Sequence, residues 1–387
     1  MDALRLANTA LAVDIWKILF EQKKSENIIF SPLCISGSLA LAMKGSKEST
    51  AANFEKVLHF EKVKDCDFGF QTLTSDISKI SSVYSLKIVK RLYIENSLSC
   101  TKTFIDSTKK PYPGELESID IQSQPEEARN KINTSIKELT DGKFENILNE
   151  GTCDENSKIL MIGAAYFKGN WLYKFNESET KEVDFHISKK LKNTIEHTET
   201  KPVQMMHLEA RLSIGYVNDL KTMILDIPFT AKHVSLLILL PKNIEDDSTG
   251  LEKLEHDITY EKYVHWTNPS MMANSKVKLC LPKFKMECSY DLKDILKSLG
   301  LDDAFNEEVS DFSGMSEGKG IVLSQAIQKA CIEINEDGTE TADVTKERLL
   351  MHKDEFLVDH PFLFILRHNK TRTILMCGRY CFPPSSC

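Results

Sequence analysis

Residues 233–241 (HVSLLILLP) form a continuous apolar run of strand length. A strand with one wet face alternates polar and apolar side chains, and this one does not, so it must lie in a sheet covered on both faces. The rest of the chain supplies the cover. Roughly the first 150 residues read as mostly helical, with Ser31-Pro32 capping LCISGSLALAMKG and a stop at Gly45. From Lys158 onward strands dominate. Residues 275–287 alternate Val277, Leu279 and Leu281 against Lys276, Lys278 and Cys280, which predicts one strand with a wet face. Residues 362–380 predict two strands around the turn HNKTR, and residues 186–201 (HISKKLKNTIEHTETK) a polar surface loop. No Pro-rich or Gly/Ser-rich linker and no repeat interrupts the sequence, so residues 1–387 are expected to form one domain. Helices first and strands later predict an α+β fold with a large sheet.

Composition narrows the function. The chain has 49 Lys+Arg against 57 Asp+Glu, a net charge of −8, which removes the electrostatic case for a nucleic-acid binder. No stretch is apolar for the ~18 residues that a membrane span needs. The ten cysteines include no CxxC pair, and a chain this long needs no disulfide framework. Most are expected to be buried reduced thiols, with Cys387 the reactive exception. In residues 1–20 Leu4, Ala7, Leu11, Ile15 and Leu19 recur at helical spacing, while Asp2 and Asp14 interrupt any signal-like apolar core. A cytoplasmic protein, with any extracellular pool exported without a leader, is the expectation. The sequons at Asn133, Asn176 and Asn369 would then carry no glycan.

Residues 319–336 (KGIVLSQAIQKACIEINE) read as a long strand ending at Glu336-Asp337-Gly338. Residues 339–357 then fit neither a helix nor a strand pattern, and a structureless connection of that length is usually functional. Four segments carry a resemblance: NIIFSP (27–32), AAYFKGNW (164–171), EINEDGT (333–339) and FLVDHPFLF (356–364). In order and kind they resemble the serpin family, and its ovalbumin-like branch in particular. Segments such as TKPVQMM (200–206), DFSGMSEGKG (311–320) and RLLMHKDE (348–355) resemble one non-inhibitory member of that branch more finely.

The resemblance implies a serpin fold of three β-sheets and about nine helices, with a reactive-centre loop at about 338–358. It implies a hinge at Glu336, Gly338, Thr339 and Asp343, a reactive-centre bond between Arg348 and Leu349, and a sheet-opening cluster of Ser31, Cys34, Gly163 and Gln328. Inhibitory serpins act when the cleaved loop inserts into the main sheet as a strand. Three readings of this loop speak against that. Either insertion register turns charges inward, Asp343 and Glu347 in one, Glu340, Lys346 and Arg348 in the other. In the inhibitory pattern the scissile residue lies 14 positions after the hinge glycine, at His352, whereas Arg348 stands only 10 after Gly338. A protease acylated there would stop roughly 13 Å short at ~3.3 Å per residue. Finally, where the family has Ser, Asn and His, this chain has Cys34, Gly163 and Gln328.

The expected function is therefore non-inhibitory, through binding of cell-surface or matrix proteins, with restraint of epithelial migration, invasion and tumour growth. Serine proteases would act as cleavers, the chain would be a monomer, and no cofactor is implied. The alternative is a trypsin-like serine protease inhibitor presenting Arg348 or Lys353. Other signals read as structural. Gly314-Met-Ser316-Glu-Gly318 matches a nucleophile elbow but lacks the strand–turn–helix setting. The histidines show no metal spacing. Lys87, Lys90, Arg91, Lys102, Lys109 and Lys110 read as a solvated basic face, and Trp171 as a packing anchor near the loop's entry.

Overall fold

The computed structural model describes residues 2–192, 195–340 and 354–384. Among them are nine helices: α1 (Asp2–Gln22), α2 (Pro32–Lys44), α3 (Glu48–Val57), α4 (Cys66–Ile80), α5 (Lys102–Lys109), α6 (Pro125–Leu139), α7 (Glu252–Asp257), α8 (Tyr260–Trp266) and α9 (Lys293–Ser298). The predicted N-terminal helix and the predicted cap are both present. Ser31 Oγ accepts from Cys34 N at 3.2 Å and Pro32 opens α2. Gly45 ends α2 with ordinary right-handed angles, so it is not there for a left-handed turn. It is there for space, since a Cβ would lie 2.7 Å from Met315 Cε.

One sheet has the strand order β11 (Phe284–Asp291), β12 (Leu323–Ile334), β4 (Ile159–Lys168), β2 (Ser85–Glu95), β3 (Leu116–Ile119). Its core strand β4 alternates between two cores. Ile159, Met161, Ala165 and Phe167 join the cluster around α1 and α2. Leu160, Ile162, Ala164 and Tyr166 join a second cluster with Ile132 and Ile136 of α6. α2 is apolar or small almost all round because it is enclosed by β2, β4, α1, α3 and the strand Thr373–Tyr380, Pro32 to Ala42 being buried without a break.

A second, nine-stranded sheet runs β1 (Ile28–Phe30), β16 (Thr373–Tyr380), β15 (Phe362–His368), β9 (Val234–Pro241), β8 (Thr222–Pro228), β7 (Ile195–Val217), β10 (Met272–Pro282), β14 (Asp354–Leu357), with β6 (Lys181–Lys192) paired to the start of β7. The apolar run is β9, every residue of it buried between β8 and β15. A third sheet pairs β5 (Trp171–Tyr173) with β13 (Gly338–Glu340).

Three expectations are corrected. Residues 186–192 and 195–201 are not a loop but lie on the two arms of the β6–β7 hairpin, paired antiparallel from His186 opposite Thr200 to Lys192 opposite Ile195. Residues 275–287 are not one strand: the chain leaves the nine-stranded sheet after Pro282 and enters the other at Phe284. The helical first part also contains β2 and β3, whose charges mask the strand pattern.

Candidate functional site: the sheet seam and the loop hinge

β12 and β4 pair directly and in parallel, from Leu323 opposite Ile159 to Glu333 opposite Lys168. The sequence-predicted cluster lies in the middle of this seam. Gln328 sits opposite Gly163 and is 1% exposed. Its Nε2 donates to Ser31 O at 2.8 Å and its Oε1 accepts from Ser31 N at 3.0 Å. Ser31 Oγ in turn donates to Leu375 O of β16 at 2.6 Å. Cys34 Sγ donates to Val89 O of β2 at 3.1 Å, and burial, partly offset by the nearby Lys90 charge, pushes its thiol up to about 12. A Cβ on Gly163 would meet Cys34 Sγ at 2.7 Å, so the sulfur occupies the space that glycine leaves. All four residues come together, and they tie α2 to three strands.

At the upper end of the seam Glu333 Oε1 accepts from Tyr166 OH at 2.9 Å, with Lys285 at 3.6 Å. Burial first, and the Glu333 carboxylate second, push the Tyr166 hydroxyl well up. The hinge then turns away from the seam. Trp171 N donates to Asp337 O at 2.8 Å, Lys174 N to Glu340 O at 2.8 Å, and Trp171 Nε1 to Asn335 O at 2.7 Å. Trp171 is 1% exposed and stacks on Phe229 at 4.2 Å, the anchor its position predicts, although it opens β5 rather than closing β4. A Cβ at Gly338 would lie 2.4 Å from Lys174 Cα, so only glycine permits this pairing. Thr339 Oγ1 donates to Thr230 Oγ1 at 3.0 Å.

Glu336 is the polar centre of the hinge. Its carboxylate accepts from Thr180 Oγ1 at 3.0 Å and pairs with Lys283 Nζ at 2.9 Å. Burial alone would raise its pKa, but Lys283, its own backbone N–H and Thr180 together hold it below the usual carboxylate range. Sequence reasoning missed Thr180, Lys283, Thr230 and Glu333. The first three reach the hinge only through chain reversals, while Glu333 and its partner Tyr166 both lie inside segments already singled out. Asp343, Arg348, Leu349 and Lys353 lie outside the described residues. The chain resumes at Asp354, which accepts from Tyr216 OH at 3.3 Å, and β14 runs parallel to β10 as an edge strand.

The remaining signals resolve structurally. Ser316 is buried and its hydroxyl donates to Leu98 O. The basic residues do not form one solvated face: Lys90 is 6% exposed and paired with buried Glu115 at 3.0 Å, and Lys87 pairs with Asp141 at 2.5 Å. Asn133 and Asn369 spend their side chains on internal hydrogen bonds, to Leu148 and to Lys232 and Ser235, whereas Asn176 is exposed. Cys34, Cys153, Cys280, Cys377 and Cys381 are buried and unbridged, and Cys387 lies outside the described residues. No helix among the described residues is long and apolar enough to cross a membrane.

Residues 6–383 match the family model for serpins, serine protease inhibitors. The chain belongs to the serpin family. This serpin is 71% identical over 383 residues to Serpin B5 of Xenopus laevis, covering 99% of this chain and 98% of the relative. A crystal structure of maspin superposes on it with a TM-score of 0.94 at 52% identity, covering 99% of each chain. The structure of a tumour suppressing serpin gives 0.91 at 52% identity, over 99% of this chain and 100% of that one. The nine helices and three sheets are the serpin fold, and the chain is a maspin-like serpin. Serpins interact with proteins such as proteases, as inhibitors or binding proteins rather than catalysts.

Proposed function

We propose that this serpin is a non-inhibitory, protein-binding member of its family, neither enzyme nor protease trap. It acts as a single domain whose loop at about 338–358 displays Arg348-Leu349 and is cut by serine proteases without inserting. One observation carries the reading: β4 buries side chains on both of its faces. A strand inserted beside it would have no wet face, so the charged residues in either register of 339–348 would be forced into a core. Two further features support it. The first loop residues, Gly338 to Glu340, are already committed to β5. The seam is held by Gln328 clamping both backbone polar groups of Ser31. Cell-surface or matrix proteins are the proposed partners, and restraint of epithelial migration and tumour growth the proposed outcome, in keeping with the tumour suppressing serpin that it resembles.

Incubation with trypsin tests this. A non-inserting loop yields a chain clipped after Arg348 and leaves the melting temperature nearly unchanged. An SDS-stable complex at the summed mass, or a sharp rise in melting temperature on clipping, restores the alternative of an inhibitor presenting Arg348 or Lys353.

A further inference from the structure

The dipeptide Asp-Gly occurs twice in the chain, at 141–142 and at 337–338. A backbone isomerises most readily at this dipeptide. Glycine puts no side chain beside its own amide nitrogen, and that nitrogen reaches the aspartate Cγ through a five-membered ring. The fold treats the two copies differently. At the first, Gly142 N donates to Lys137 O at 2.8 Å, closing the C-terminal turn of α6. Asp141 there holds a left-handed φ of 51°, and its carboxylate pairs with Lys87 at 2.5 Å. Both reacting groups are engaged. The second copy is held more loosely. Among the described residues β13 pairs with β5 alone, and Gly338 lies opposite Trp171 in parallel register. In such a ladder Trp171 bonds to the residues flanking Gly338, as its N–H does to Asp337 O at 2.8 Å, so the Gly338 N–H points away from β5. Asp337 is exposed, and its carboxyl meets the Asn335 amide, Nδ2 donating to Oδ2 at 2.8 Å.

We propose that Asp337 is a site of spontaneous isoaspartate formation, and that the product undocks the hinge from β5. Gly338 N attacks Asp337 Cγ, the amide proton leaves to solvent, and one carboxyl oxygen departs as water to give a cyclic imide. Water then adds to either imide carbonyl. Breaking the bond from Gly338 N to Cγ restores aspartate, and breaking the bond from Gly338 N to the Asp337 α-carbonyl carbon gives isoaspartate. Water is the one co-reactant, and the net charge is unchanged. In isoaspartate the main chain runs through Cβ and Cγ and is one atom longer. The carbonyl that accepted from Trp171 N becomes a carboxylate off the chain. Gly338 is then carried away from Lys174, where the fit is so close that a Cβ would lie 2.4 Å from Lys174 Cα. β13 thereby loses its register on β5.

Holding the intact protein at pH 7 and body temperature for several weeks tests this. Peptide mass spectrometry with electron-transfer fragmentation, which separates the two isomers, counts isoaspartate at each site. Accumulation at 337 at least about tenfold above that at 141 is expected, a difference of about 1.4 kcal/mol in barrier. In the isoaspartyl fraction the Trp171 and Lys174 amides, which donate to Asp337 O and Glu340 O, should exchange with deuterium at least about tenfold faster than in fresh protein. Asp337→Glu keeps the charge but would need a six-membered ring, so this variant, aged alongside, should retain the slow exchange. Equal accumulation at the two sites, none at 337, or unchanged exchange at Trp171 and Lys174 overturns the proposal. So does an equal rise in exchange in the aged Asp337→Glu protein, which would assign the loosening to general ageing.

Discussion

Replacing Gln328 by Ala removes the clamp at the centre of the sheet seam, and its cost follows from the geometry. Two buried hydrogen bonds to Ser31, at 3.0 and 2.8 Å, are lost. Ser31 O keeps the Ile35 N–H at 3.2 Å, but Ser31 N is left with no acceptor. Two net hydrogen bonds at ~1 kcal/mol each, an orphaned donor at ~1 kcal/mol or more, and a small cavity give about 4 kcal/mol. For 387 residues the unfolding entropy is about 0.8 kcal/mol per kelvin, so the melting temperature should fall by about 5 °C. Gln328→Met keeps most of the volume and loses only the polar part, for which about 3 °C is expected. Scanning calorimetry of the three proteins at pH 7 is the assay. A loss below ~1 °C for Gln328→Ala would falsify the idea that this amide holds α2 to the seam. Equal losses for the two variants would assign the whole effect to the hydrogen bonds.

Three further outcomes are expected. The Glu336 carboxyl is held below its ordinary pKa, so its stabilisation is complete above about pH 4.5 and fades as pH falls through the lowered value. The melting temperature of the wild-type protein should exceed that of Glu336→Gln at pH 7, and the gap should close in acid; a gap independent of pH refutes the carboxylate role. Lys90→Met leaves a buried charge on Glu115 and should cost about 3–5 kcal/mol, whereas Lys90→Met with Glu115→Leu should recover most of it. Urea unfolding midpoints that rank the double variant below the single one contradict this. His59 hydrogen-bonds Asp14 at 2.6 Å, which, against some burial, raises its pKa above the ordinary value. That contribution is present below the ordinary pKa and lost as pH rises through the raised one. An NMR titration of the imidazole should show the raised midpoint, and Asp14→Asn should return it toward 6.5.

Legibility in the sequence followed locality. Ser31-Pro32, the α1 spacing, the run of β9 and the paired strands β15 and β16 each announce themselves within a dozen residues, through capping chemistry or burial period. Ser31, Cys34, Gly163 and Gln328 were named as a cluster only because of a family resemblance, since nothing local links positions so far apart. The hinge partners had no such help. Thr180 and Lys283 meet Glu336 from connections far away in the chain, just before β6 and between β10 and β11, and a threonine or lysine in a connection is unremarkable by itself. Lys90 misled for the same reason: in KIVKRLYIE it reads as a wet position, and it is buried because Gly37 and Glu115 make a place for it.

By itself the sequence determined that this chain builds layered α+β structure, and it placed charged residues throughout the stretch that follows Gly338. Those are properties of side chains and their immediate neighbours. Tertiary structure alone decided that β4 is buried on both faces, that Gln328 clasps Ser31, that Glu336 is held by Thr180 and Lys283, and that Lys90 and Glu115 form a buried ion pair. Each needs groups far apart in the chain to be held within 3 Å, and only the pairing of strands across long reversals fixes that distance.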